Sequence, residues 1–273
     1  MPFAELSTGI RMHYRDTGTG DPIVFLPGFA ATLETWSYAV LDLHERHRCV
    51  CVDLRGHGLS DKPASAYSYE EMCDDVGALL RALDLRDVTL VGWSMGAGIA
   101  LRYAVQADAE ARVARMVMVA PATPRFTRTA TEPYGLTEEA AAETLEGLRR
   151  SYPETMAAFA ESNFHRTDME TTKAWLLSQW LTLPAYAAYA YMRTLIESDL
   201  RDLVGRVTIP TALFHGRHDG ICDGGWVEWM AARIPGARVV WFAGSAHALM
   251  VEEPDRFSRE LARFVDETPL RRG

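Results

Sequence analysis

The sequence predicts an α/β fold in which a mostly parallel, doubly wound sheet is interrupted by an inserted segment of four helices. Three observations predict it. Short apolar runs without polar alternation recur along the chain, as strands buried on both faces require. Amphipathic stretches of helical period lie between most of them, the alternation that right-handed crossovers between parallel strands produce. One interval, residues 120–208, carries helical patterns and no strand pattern.

Taken in order, residues 10–15 alternate and end at Asp16-Thr-Gly-Thr-Gly20, a turn cluster that predicts a hairpin into residues 22–26 and an antiparallel start. Apolar runs at 23–26, 49–52, 88–91, 116–119, 212–214 and 239–242 predict the buried strands, and 34–45, 69–83, 95–106, 225–233 and 254–266 the helices between and after them. The interrupting interval reads as helices over 137–151, 153–163, 169–181 and 184–198, two of them opening on a proline, which suits a first helical turn. A structureless loop of that length is uncommon in a compact domain, so residues 122–204 are expected to pack on the sheet as a lid. The organisation expected is a core of 1–121 and 205–273 with a helical cap of 122–204.

Composition sets the limits. With 273 residues, 48% hydrophobic and 24% charged, the chain can bury a sizeable core, which excludes a disordered chain or a disulfide-stapled scaffold. The formal charge of −9, with no run of five basic residues, argues against nucleic acid as a partner. The longest mainly apolar stretch, 183–192, is interrupted by Pro184 and falls short of the ~18 to 20 residues a membrane helix needs. Residues 1–16 show no secretory pattern, so the expected location is the cytoplasm, with no membrane partner. Cys49 and Cys51, two apart on one strand, leave the same face and cannot pair, and are read as buried thiols; Cys222 is read as a loop thiol.

Chemistry enters at Val88-Thr-Leu-Val-Gly92-Trp93-Ser94-Met95-Gly96-Ala-Gly98, a strand, a sharp turn and a helix with Gly-x-Ser-x-Gly at the turn. The bare pattern arises by chance in roughly one in ten chains of this length. Its placement is what carries weight: a strand ahead, a helix behind, and small residues around the serine, as a strained nucleophile elbow requires.

On these residues the sequence resembles the α/β-hydrolase family, over nearly the whole chain. Leu26-Pro27-Gly28-Phe29-Ala30 stands where the family has its oxyanion loop, with Pro27 in place of the usual histidine. Asp53-Leu-Arg55-Gly56-His57-Gly58-Leu-Ser60-Asp61 matches the family's structural turn, which makes His57 structural. Phe214-His215-Gly216-Arg217-His218-Asp219 puts a carboxylate past a strand end, and Phe242-Ala-Gly-Ser-Ala-His247-Ala puts a histidine past the last strand. The order Ser94, Asp219, His247 is the one this fold uses. Asp223 is close to Asp219 and suits the cap of the next helix.

The resemblance implies a role for each residue. Ser94 would be the nucleophile, and His247 the base that takes its proton and returns it to the leaving group. Asp219 would fix the imidazole tautomer. The backbone N–H groups of Phe29 and Met95 would receive the oxyanion. Trp93 flanks the nucleophile. In the insert, Trp175, Trp180 and Tyr186, with Tyr189, Tyr191 and Met192, read either as the packing seam or as the lining of an apolar pocket; Trp93, Trp175, Trp180 and Tyr186 are the candidate substrate-binding residues.

No cofactor is expected: Gly96-Ala-Gly98-Ile-Ala-Leu101 lacks the third glycine of a dinucleotide loop. No metal is expected either, because neither His215, His218 and Asp219 nor His44-Glu45-Arg46-His47 has a zinc spacing. The expected function is a cofactor-independent serine hydrolase that cleaves a small, largely apolar ester or lactone through an acyl-enzyme. Gly92-Trp-Ser94, Asp219-Gly220 and Ala246-His247-Ala248 look like the carboxylesterases that demethylate pimeloyl-carrier-protein esters, and such motifs are shared with lactonases and cofactor-free haloperoxidases. Residues 122–200 carry seven basic against eleven acidic side chains, which argues against an acidic carrier protein as the substrate's bearer. The alternatives are a carbon–carbon bond hydrolase or a cofactor-free haloperoxidase or perhydrolase on the same residues. A small-molecule receptor that keeps them with little turnover is a reading of another class.

Overall fold

The apolar runs become the six parallel strands of one sheet. A computed structural model describes residues 2–268. Its strands are β1 (Phe3–Glu5), β2 (Arg11–Thr17), β3 (Asp21–Leu26), β4 (His47–Val52), β5 (Val88–Trp93), β6 (Val113–Val119), β7 (Thr211–Gly216) and β8 (Arg238–Phe242), in the order β1-β2-β4-β3-β5-β6-β7-β8. The neighbours from β4 to β8 are parallel, and β1 on β2 and β2 on β4 are antiparallel. Every residue of β5 and β7 is buried, which is why their sequences are continuous apolar runs.

The antiparallel start is as expected; the hairpin is not. β2 lies on β4, with Tyr14 opposite Val52 and Thr17 opposite Cys49, and β4 separates it from β3. The glycines of the turn cluster serve a close crossing instead. A Cβ at Gly18 would stand 2.2 Å from the His44 carbonyl oxygen and one at Gly20 2.6 Å from that of Arg46. The chain thus steps over the entrance to β4 before β3 begins.

The helices follow the sequence closely. They are α1 (Ser37–Leu43), α2 (Tyr69–Ala82), α3 (Met95–Arg102), α4 (Glu138–Arg150), α5 (Tyr152–Ser162), α6 (Glu170–Trp180), α7 (Ala185–Glu197), α8 (Arg201–Val204), α9 (Gly224–Ala231), α10 (Leu249–Glu252) and α11 (Pro254–Glu267). The stretch predicted as one helix from 34 splits into a 3-10 turn (Leu33–Trp36) and α1, and α3 runs on through a π turn (Tyr103–Ala107). Ser68 and Glu71 close a reciprocal capping box on α2, and Asp223 caps α9 by accepting from the Gly225 N–H. The core joins β3, β7, β8 and α11 through Phe25, Trp36, Phe214, Phe242 and Phe257, with neighbouring ring centroids 5.0 to 6.4 Å apart.

Helices α4 to α7 lie between β6 and β7, α4 packing on α5 and α7 and α5 on α6. This segment is tied to the strand ends by hydrogen bonds. The Tyr191 hydroxyl donates to the Arg55 carbonyl at 2.6 Å, Thr194 to that of Tyr67 at 3.0 Å, and the Ala248 N–H to the Asn163 carbonyl at 3.0 Å. Cys49, Cys51, Cys73 and Cys222 are all buried free thiols. Among the described residues no helix is long and apolar enough to cross a membrane.

Candidate active site

Ser94 ends β5 and opens α3 with φ 54° and ψ −116°, a conformation that costs a serine energy and persists only when its surroundings impose it. They do. The Ser94 N–H donates to the Val119 carbonyl at 2.8 Å, and its carbonyl accepts from Ala97 and Ala122. A Cβ at Gly92 would stand 2.2 Å from the Gly96 carbonyl oxygen, and one at Gly96 2.6 Å from that of Leu26. Both glycines of the motif are therefore required for strand and helix to meet this sharply. Gly28 brings the 27–30 loop against the same point, since a Cβ there would stand 3.0 Å from that of Ser94. The N–H of Met95, first in α3, has no carbonyl one helical turn back to bond.

Asp219 and His247 come from the loops after β7 and β8. Asp219 Oδ2 accepts from His247 Nδ1 at 2.8 Å, and Oδ1 accepts from the N–H groups of Ile221 and Cys222, each at 2.9 Å. Burial works against the Asp219 carboxylate, but the charge and hydrogen bond of His247 outweigh it, and the carboxyl titrates below its ordinary value. Because that carboxylate accepts, Nδ1 is the ring nitrogen that donates, and in the neutral imidazole the lone pair then falls to Nε2. Nε2 is buried and has no partner among the described residues. The Trp93 indole donates to the His247 carbonyl at 3.0 Å, and the two rings lie 5.4 Å apart.

Over this point sits a chain of aromatic rings. Phe29 meets Phe159 edge-on at 5.5 Å, Phe159 meets Trp180 at 5.6 Å, and Trp180 meets Trp93 at 6.3 Å. Trp93 and Trp180 are thus in the cluster. Trp175 is half-buried outside these ring contacts. Tyr186 is 48% exposed; its hydroxyl donates to the Lys62 carbonyl at 2.8 Å, and its ring borders a surface cleft of about 400 Å³ with Leu148, Arg149, Ala185 and Tyr189. It ties α7 to the 62 loop and is not brought to Ser94.

Three residues at the site were not singled out from sequence, and a fourth was given no place in it. Phe159 belongs to the ring cluster, but nothing in its spacing marks it. Asn163 accepts from the residue after His247. Glu252 is 2% exposed and accepts from the N–H groups of Ala246, His165 and Arg166, joining the histidine loop to the helical segment. Cys222, read as a loop thiol, lies in the loop after β7 and is buried there, its Sγ within 4.8 Å of an Asp219 oxygen and a His247 ring nitrogen. The Asp219 turn folds it inward.

Comparison with known proteins agrees with the fold. The family model described as alpha/beta hydrolase fold matches residues 21–254. A pimeloyl-[acyl-carrier protein] methyl ester esterase of Nitrosomonas europaea is 33% identical over 90% of this chain and 96% of its own length. A non-heme haloperoxidase of Rhodococcus erythropolis is 28% identical over 97% of this chain and 100% of its own. Among solved structures, an esterase from Exiguobacterium antarcticum superposes with a TM-score of 0.93 at 30% identity, covering 97% of this chain and 98% of that one.

Proposed function

The chain belongs to the alpha/beta hydrolase fold family, and on that premise we propose that it is a serine hydrolase acting on a small, largely apolar carboxylic ester or lactone. The observation that carries this reading is the His247 to Asp219 hydrogen bond, with Nε2 left buried and without a partner among the described residues. Ser94 Oγ attacks the carbonyl carbon as Nε2 accepts its proton. The oxyanion is met by the N–H groups of Phe29 and Met95, each worth on the order of 10² to 10³ in rate. The alcohol leaves with the proton from Nε2, and water then releases the acid by the same steps in reverse order. Asp219 stabilises the imidazolium throughout.

Phe29, Trp93, Phe159 and Trp180 are the rings that favour an apolar acyl group, and residues 122–204 act as the cap that keeps water from it. Similarity to a methyl ester esterase and to a solved esterase supports the ester class. The acidic balance of the cap supports a free small molecule over an acidic carrier protein.

A second reading has one observation in its favour, the similarity to a non-heme haloperoxidase. Hydrogen peroxide in place of water on the acyl-enzyme would release a peracid and regenerate Ser94. Both readings share the nucleophile. Hydrolysis of a panel of nitrophenyl esters, with fluorophosphonate labelling of Ser94, tests it. Ser94→Ala is expected to abolish both, and full activity in that variant, or no label on Ser94, would sink the proposal.

A further inference from the structure

Hydrolysis as described leaves one buried nucleophilic side chain at the site unused. Cys222 is 4% exposed, and an oxygen of Asp219, Cys222 Sγ and a ring nitrogen of His247 all lie within 4.8 Å of one another. We propose that these three side chains form a binding site for a borderline-soft divalent cation of the zinc or cadmium kind, and that its occupation switches the enzyme off.

The donor set selects the ion. A thiolate, an imidazole and a carboxylate together suit zinc and cadmium, whereas magnesium and calcium take oxygen ligands. In a tetrahedral zinc site the sulfur and nitrogen ligands stand about 3.5 Å apart, so side-chain rotations of about 1 Å close this cluster on an ion. A water fills the fourth position.

Two of the donors already face each other, Asp219 Oδ2 standing 2.8 Å from His247 Nδ1. A cation between them takes Nδ1, and the ring proton moves to Nε2, which is buried and has no partner among the described residues. At Cys222 binding forms the sulfur–metal bond, breaks S–H, and releases that proton to the buffer. His215 braces the arrangement: its Nε2 lies 3.1 Å from the Cys222 carbonyl and 3.7 Å from Asp219 Oδ2.

A cation on Nδ1 replaces the proton shared with Asp219 and leaves the ring proton on Nε2, which can then no longer accept the Ser94 proton. The inhibition rests on the serine-hydrolase reading; the binding does not.

The test titrates cadmium chloride into the full chain, reduced and freed of chelators. It follows both the ultraviolet thiolate-to-cadmium absorption band and nitrophenyl ester hydrolysis. The band is expected to saturate at one equivalent as hydrolysis is lost, and both are expected to reverse with EDTA. Cys222→Val should lose the band and need roughly tenfold or more cadmium for half inhibition, measured against its own metal-free rate. Ser94→Ala should keep the band. A band that survives in Cys222→Val moves the metal to Cys49, Cys51 or Cys73 and overturns the proposal, as does an unchanged inhibitory midpoint. If Cys222→Val does not fold, His247→Gln carries the same test, with cadmium binding weakened by roughly tenfold or more expected and unchanged binding fatal. A cadmium band on a chain that hydrolyses no ester would keep the cation site and sink the hydrolase reading alone.

Discussion

His247 Nδ1 stands 2.8 Å from Asp219 Oδ2, and both side chains are closed off from solvent. The carboxylate cannot be replaced by water there, so the ring's tautomer is set by this one acceptor. Asp219→Asn presents an amide that can donate to Nδ1 and turn the lone pair away from Ser94. The expected result is a kcat lower by about 10⁴ with KM little changed, read from steady-state kinetics on a nitrophenyl ester. A drop confined to KM would assign Asp219 to substrate binding instead.

The elbow predicts a contrast between two glycines. Gly96→Ala drives a methyl to within 2.6 Å of the Leu26 carbonyl oxygen and 2.7 Å of that of Pro27, while a Cβ at Gly205 meets nothing within 4 Å. Gly96→Ala should cost about 1 to 3 kcal/mol in urea denaturation and most of the activity. Gly205→Ala should leave activity unchanged.

The aromatic cluster predicts which insert residue governs the acyl group. Trp180 is fully buried and meets the rings of Trp93 and Phe159, whereas Tyr186 is an exposed tie to Lys62. Trp180→Ala should lose about 3 to 5 kcal/mol of stability. The milder Trp180→Phe should reorder kcat/KM across esters of rising acyl length, and Tyr186→Phe should leave that order as it is. A reordering by Tyr186→Phe equal to that of Trp180→Phe would place the pocket elsewhere.

Acid should destabilise the protein through His57. Burial pushes its pKa from 6.5 down to about 4, with Asp53 and the Arg55 carbonyl opposing and Lys62 reinforcing. Its Nδ1 lies 3.0 Å from the Arg55 carbonyl, its Nε2 has no partner among the described residues, and its ring packs on Tyr191 at 4.8 Å. Between pH 6.5 and about 4 the unfolded chain binds a proton at His57 that the folded chain does not. Stability therefore rises with pH across that window and falls as acid is added, by about 3 kcal/mol at its lower end. His47 and His215, also lowered by burial, add in the same direction. Urea denaturation at several pH values between 7.5 and 5 should show a shallower pH slope in His57→Gln than in the parent. Equal slopes would remove His57 from the account.

The sequence by itself determined what is local. Unbroken apolar runs placed the six parallel strands, and period-3.6 patterning placed nearly every helix. Proline near the first turn marked the start of α5, and the small residues around Ser94 marked the elbow, because a close crossing excludes side chains whatever lies beyond it. The order Ser94, Asp219, His247 was legible because each residue follows a strand end.

Tertiary structure decided what depends on partners far along the chain. A turn cluster reads as a hairpin, but β2 found β4, since the register from Tyr14 opposite Val52 to Thr17 opposite Cys49 is a choice made between distant strands. Helical spacing marks α5, α6 and α7 without saying which face meets the sheet. Docking chose Phe159 and Trp180 and left Trp175 and Tyr186 aside. It also turned Cys222 inward, where the loop that positions Asp219 carries a thiol to within 4.8 Å of an Asp219 oxygen and a His247 ring nitrogen. Burial gives each of these side chains its chemistry, and burial is a property of packing that no short stretch of sequence contains.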